Sequence, residues 1–197
     1  MCSKHAMHTL RRREAGVTMI ELIVFIMVIG IAVIALLGVL SLTTSNSADP
    51  LRRKQALMIA ESLLEEVQLA KFTFCQPTDN NVETALNAAG CTNGLAENWG
   101  AEGTTRPHDN INDYATVANQ PAAAFNNANN VLVDTNGTAM PAGYAATVTI
   151  TPQTLEGVGT AGASADTEVL RIRVTVSYDK DQIVLDGFRM RYAPNFP

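Results

Sequence analysis

Between Leu22 and Leu42 this chain has no charged residue, and charge is sparse elsewhere, at 17% of 197 residues. Histidine is scarce as well: His5 and His8 lie in the first sixteen residues, and His108 stands alone beyond them. No serine sits in a paired nucleophile motif and no ligand set recurs at metal-binding spacing, which argues against an enzyme. Cysteine is limited to Cys2, Cys75 and Cys91. Two distant cysteines and one histidine fall short of the usual four zinc ligands, so no metal or cofactor is expected. There is no basic excess either. A net charge of -5 is opposite in sign to what phosphate binding favours, which argues against nucleic acid as a partner.

What the chain does have is one long apolar block. As a helix, Leu22 to Leu42 would be about 31 Å long at roughly 1.5 Å per residue, close to a hydrocarbon core of about 30 Å. A secretory signal peptide has a shorter apolar region, about 7 to 15 residues. Ser45 and Ser47 before Ala48 give a weak small-x-small cleavage pattern, but the run is too long for that reading. An ordinary single-pass anchor explains the length and leaves Glu21 unexplained. A carboxylate at the start of a span is costly unless it is paired or reaches the headgroup region.

Gly16, Val17, Thr18, Met19, Ile20 and Glu21, preceded by Arg11, Arg12 and Arg13, resemble the leader and cleavage site of type IV prepilins and type II secretion pseudopilins. The resemblance covers about the first quarter of the chain. It implies that a prepilin peptidase cuts between Gly16 and Val17 on the cytoplasmic side and methylates the new amine of Val17. The family most often has phenylalanine at that first position, so Val17 is a departure. Gly38 stands where many major pilins have a helix-loosening proline. Glu21 would then serve assembly, its carboxylate pairing with a neighbouring subunit's amine inside an apolar bundle of helices. The partners implied are other pilin subunits, the peptidase and an inner-membrane assembly platform. The implied location is the inner membrane, with the C-terminal part in the periplasm, and then a filament.

Charge flanking the span gives a weak positive-inside bias, with Lys4, Arg11, Arg12 and Arg13 before it and Arg52, Arg53 and Lys54 after it. Loss of residues 1–16 removes those first four cations and Glu14, so 14 basic residues become 10, 19 acidic become 18, and the net charge goes from -5 to -8. The same cut removes Cys2. Cys75 and Cys91 are then an even pair in an oxidising compartment, a candidate disulfide, with two unpaired thiols as the alternative.

Past the span, Ala56, Leu57, Ala60, Leu63, Leu64, Val67 and Ala70 recur at three- and four-residue steps, with Glu61, Glu65 and Gln68 on another face, which predicts an amphipathic helix. Asp49 and Pro50 look like a fresh helix start. Arg52, Arg53 and Lys54 at a positive helix end oppose it, which favours a continuous or kinked helix. From Pro77 to about Gly143 no period persists, and loops of that length are usually functional or disordered. "DNIND" at 109–113 and "DTNG" at 134–137 hold clustered acidic and amide residues, but neither follows the EF-hand spacing, and such clusters commonly form turns.

Strict alternation returns in "AATVTITP" and "EVLRIRVTVSYD", where Val148, Ile150, Leu170, Ile172, Val174, Val176 and Tyr178 mark half-buried strands. A turn at Asp179 to Gln182 leads to a further strand carrying Val184, Phe188, Met190 and Tyr192. Arg171, Arg173, Arg189 and Arg191 are expected on the solvent face of this sheet. The fold expected is α+β: a long N-terminal transmembrane-plus-amphipathic helix packed on a small antiparallel sheet. The expected divisions are a leader over 1–16, an assembly helix over 17–42, an amphipathic helix over 43–74, a loop-rich region over 75–143 and a sheet over 144–197. Within the resembled family, "RKQALMIAESLLEEV" and "LDGFRMRYAP" look most like minor pilins of the PilV type, including those of mannose-sensitive haemagglutinin (MSHA) pili. A secretion pseudopilin is the alternative, and a membrane-tethered binding domain is a third.

Overall fold

The structure is a computed structural model that describes residues 16–45 and 50–191. The expected leader, except for Gly16, lies outside the described residues, as do Asp49 and Tyr192. The chain divides into two compact units, Met1–Ala48 and Asp49–Pro197. In the first, helix α1 spans Met19–Ser45, and Met19–Ser41 is long and apolar enough to cross a membrane. Gly38 does not interrupt it. Every described residue from Gly16 to Ser41 is exposed.

In the second unit, helix α2 spans Pro50–Leu69. The continuity expected between the two helices falls on residues 46–49, outside the described residues. Ala56, Ile59, Ala60, Leu63, Val67 and Ala70 are buried, at the three- and four-residue steps the pattern called for. Each large apolar side chain fully buried there contributes roughly 1.5–3 kcal/mol. Three positions differ from the expected face. Ile59 takes the inward place and leaves Leu57 at the surface, and Glu66 is buried.

Three antiparallel strands follow in the order β1-β2-β3: β1 (Tyr144–Pro152), β2 (Val169–Tyr178) and β3 (Asp181–Met190). Val148 lies opposite Val174 and Ile150 opposite Ile172, so the alternating apolar residues of β1 and β2 share one face. Helix α2 packs on that face across β2 and β3. A two-residue turn joins Tyr178 to its register partner Asp181, with Asp179 in the left-handed region at φ 50. Backbone bonds in both directions between Ala122 and Val148, at 2.8 and 2.9 Å, close the outer edge of β1.

The phase of β3 is opposite to a reading that puts Val184, Phe188 and Met190 in the core. Those three are exposed, whereas Ile183, Leu185 and Gly187 lie across from Val176, Val174 and Ile172. Gly187 explains the shift. A Cβ there would sit 2.3 Å from Gln68 Nε2 and 3.1 Å from Leu64 Cδ1, so α2 crosses β3 where the strand has no side chain.

The region over 75–143 has little regular structure, yet it is a large part of the core. It supplies Tyr114 and Phe125, the two largest fully buried side chains, together with Ile111, Leu132 and Val133. Its regular pieces are two short 3-10 turns, Ala88–Gly90 and Ile111–Tyr114.

Candidate functional site

At the start of α1, Gly16 and Val17 are exposed and non-helical, and the helix begins at Met19. Thr18 Oγ1 accepts the backbone N–H of Glu21 at 3.4 Å. Thr18-Met19-Ile20-Glu21 has the spacing of a capping box, and this bond is its first half. A carboxylate in the first turn also suits the positive end of the helix dipole, by about 0.3–1 kcal/mol. That bond uses only the backbone of Glu21, so the local role of its carboxylate, which the sequence reading missed, is the dipole. The signal for the helix start was the threonine three residues upstream.

Cys75 and Cys91 are joined by a disulfide across a sequence separation of 16. Around it, Cys75 bridges Ala96, Gln76 N–H donates to Leu95 C=O at 2.8 Å, and Glu97 N–H donates to Phe74 C=O at 2.8 Å. Asp79 Oδ2 accepts the N–H of Thr92 at 2.6 Å, and Oδ1 accepts the N–H of Asn81 at 3.0 Å. These bonds, that of Asn81 foremost, hold the Asp79 carboxyl below its usual range despite burial. Its proximity to the two cysteines is thus explained by turn and disulfide, and no metal is needed.

Glu66 is the anchor of a second cluster. Arg106 grips its carboxylate with two bonds, Nε to Oε1 at 2.9 Å and Nη2 to Oε2 at 2.5 Å. Arg106 Nη1 donates to the carbonyls of Phe125 and Val133 at 2.9 and 3.0 Å. Tyr114 Oη donates to Glu66 Oε1 at 2.9 Å and accepts the N–H of His108 at 3.2 Å. Burial, and then the Glu66 charge, raise the Tyr114 hydroxyl above its usual range. Burial, and then the Arg106 charge, lower the His108 imidazole. A cleft of about 740 Å³ opens beside Arg106, His108 and Tyr114. Its guanidinium and hydroxyl are already engaged with Glu66, so the cluster reads as a latch tying the middle region to α2.

A third cluster comprises Glu97, Glu102 and Asp113, whose ligand-type oxygens all lie within 4.8 Å of one another. Burial, with Glu102 adding its negative charge, pushes the Glu97 carboxyl up to about 7. Burial likewise pushes that of Asp113 up to about 8. Of the two acidic fragments noted in the sequence, "DTNG" is a turn: Asp134 Oδ1 accepts the N–H groups of Asn136 and Thr138 at 2.9 and 2.8 Å. "DNIND" forms the turn that carries Asp113.

The four arginines do not share a solvent face, which corrects that expectation. Arg173 forms a two-bond pair with Asp186 at 2.8 Å, on the face away from α2. Arg171 lies on the same face in register with Phe188. Arg189 is in register with core-facing Leu170, whereas Arg191 stacks on Phe72 and Phe74, 3.9 and 3.8 Å from their ring centres. Its Nε and Nη2 donate to the carbonyls of Thr167 and Ala165. Burial lowers the Arg191 guanidinium to about 10. The arrangement makes no continuous basic patch of these four. Compared with family models, with curated proteins and with solved structures, the chain gives no match.

Proposed function

We propose that this chain is a structural minor pilin, not an enzyme, cut after Gly16 and inserted into a filament through its N-terminal helix. The observation that carries the reading is the junction of Gly16-Val17-Thr18-Met19-Ile20-Glu21 with a helix whose apolar side chains are exposed throughout its described part up to residue 41. Lipid covers such a helix before assembly, and neighbouring helices cover it afterwards. The second unit, one helix on a three-stranded antiparallel sheet with a braced loop region, is compatible with a pilin-like layout. The partners under this reading are other pilin subunits, the prepilin peptidase and the assembly platform. Val17 would carry the methylated amine.

N-terminal sequencing of the membrane-derived chain tests the processing step. The expected first residue is Val17, and Gly16→Trp should leave the uncut chain in the inner membrane. A chain beginning at Ala48 would overturn the reading in favour of a signal peptide. The surface filament is the version proposed, of the MSHA type. The pseudopilin alternative is separated from it by asking whether the chain appears in sheared surface filaments or is instead required for export of soluble proteins.

A further inference from the structure

The third cluster has features that turn chemistry does not account for. Glu97 is held by the strand-like pairing of segment 95–97 with segment 74–76, and its backbone N–H is already used by Phe74. Glu97 is 3% exposed, and neither of its carboxylate oxygens has a hydrogen-bond partner among the described residues. Asp113, at 5% exposed, uses Oδ2 to accept the N–H of Asn110 at 3.1 Å and leaves Oδ1 buried with no hydrogen-bond partner among the described residues. The side-chain nitrogen and oxygen of Asn112, in the same turn, are also buried with no hydrogen-bond partner among the described residues. Glu102 closes the group from the exposed side, its Oε1 accepting Gln76 Nε2 at 3.3 Å.

Three carboxylates this close repel one another, and burial strips two of them of water. Stripped carboxylates need a proton or a cation. Arg191 is the cation whose charge acts on Glu97, but it is the smallest influence there; its Nε and Nη2 donate to carbonyls, and its Nη1 makes no hydrogen bond to Glu97. The donors are all oxygen and mostly anionic, which suits a hard divalent ion. Zinc would ask for nitrogen or sulfur. Magnesium demands a near-ideal octahedron and sheds water reluctantly, whereas calcium accepts irregular shells of six to eight oxygens.

We propose that Glu97, Glu102 and Asp113 bind one divalent cation, Ca²⁺ by preference. The ion pins the segment after the disulfide to the turn at Ile111–Tyr114, next to the existing bond from Gly100 N–H to Asn112 C=O at 3.3 Å. This goes beyond the filament reading and does not depend on it.

The site contains its own reporter. Trp99, the chain's one tryptophan, lies between Glu97 and Glu102 in sequence and can sensitise Tb³⁺ emission. The experiment uses the full chain in detergent, stripped with a chelator and titrated with Tb³⁺, then with CaCl₂ or MgCl₂ as competitor. Expected are a saturable signal at one ion per chain, displacement by Ca²⁺ at concentrations at least tenfold below Mg²⁺, and a higher thermal midpoint with Ca²⁺. Glu102→Gln, on the exposed rim, should weaken binding at least tenfold without disturbing the fold, and Asp113→Asn should do so more strongly. No saturable signal at millimolar ion would overturn the proposal. So would wild-type affinity in both variants, which would place the ion on other surface acids. Equal displacement by Mg²⁺ would overturn the assignment of calcium.

Discussion

Replacing Arg106 with leucine should be among the most damaging single changes in the second unit. The side chains of Arg106 and Glu66 are 8% and 5% exposed, so the pair is inside the protein. Leucine keeps some of the bulk but removes both bonds to Glu66 and those to the carbonyls of Phe125 and Val133. Among the described residues Glu66 then keeps only the Tyr114 hydroxyl. Breaking a buried pair from one side costs about 3–5 kcal/mol, because the remaining charge has no compensation. That is a large share of the 5–15 kcal/mol typical of a whole domain. With a urea slope of roughly 2 kcal/mol per molar, the midpoint should fall by roughly 1.5–2.5 M. Full-length protein in mild detergent can be followed by Trp99 fluorescence, since Trp99 packs against the core. Glu66→Leu combined with Arg106→Leu should recover much of the loss, because two apolar groups leave no buried charge. A midpoint shift worth under 1 kcal/mol for Arg106→Leu would be the size of a surface ion pair and would refute the latch.

Cys75→Ala with Cys91→Ala should cost about 3 kcal/mol from the released loop in the chain-entropy model, read from the same urea midpoint. An unchanged midpoint would mean that the surrounding backbone bonds already fix the loop. His108 gives a pH dependence. Its folded pKa is lowered, so on acidification through the unfolded value near 6.5 the unfolded state binds a proton first, and stability falls with pH below about 6.5. His108→Phe should flatten that part of the pH profile, and an unaltered profile would rule out this residue as its source. Gly187→Ala should destabilise by about 1–3 kcal/mol through overpacking beneath α2, and Gln68→Ala should relieve part of it; no relief would place the strain on Leu64 instead.

The sequence was most informative where one period governs a whole element. β2 alternates without a break from Leu170 to Tyr178, and its buried residues follow that alternation. β3 was harder because its face is decided by a residue with no side chain. Val184, Phe188 and Met190 look like a core stripe until α2 is seen to cross at Gly187. In α2 the stripe was legible, but Glu66 was assigned to neither face and is buried. Its place three residues after Leu63 and four before Ala70 was the available sign. The middle region defeated pattern reading for a different reason. Tyr114 and Phe125 are core residues held by single turns, a disulfide and long-range polar bonds, none of which has a period. The carboxylate cluster draws on two segments 11 residues apart at its nearest members, Glu102 and Asp113, and only folding brings them together.

Assembly through Glu21 is the central claim, and its test must separate charge from capping. Glutamine can replace glutamate in a capping box while removing the carboxylate, so Glu21→Gln keeps the helix start and deletes the charge. The measurement is the amount of chain in sheared filaments relative to the cleaved chain in the membrane, for wild type, Glu21→Gln, Glu21→Asp and Glu21→Val. All four should be cut after Gly16 and inserted. The glutamine and valine variants should be recovered in filaments at a small fraction of the wild-type level, with aspartate between, because it keeps the charge but loses reach. Recovery of Glu21→Gln at the wild-type level would contradict the account and leave Glu21 as a helix cap alone.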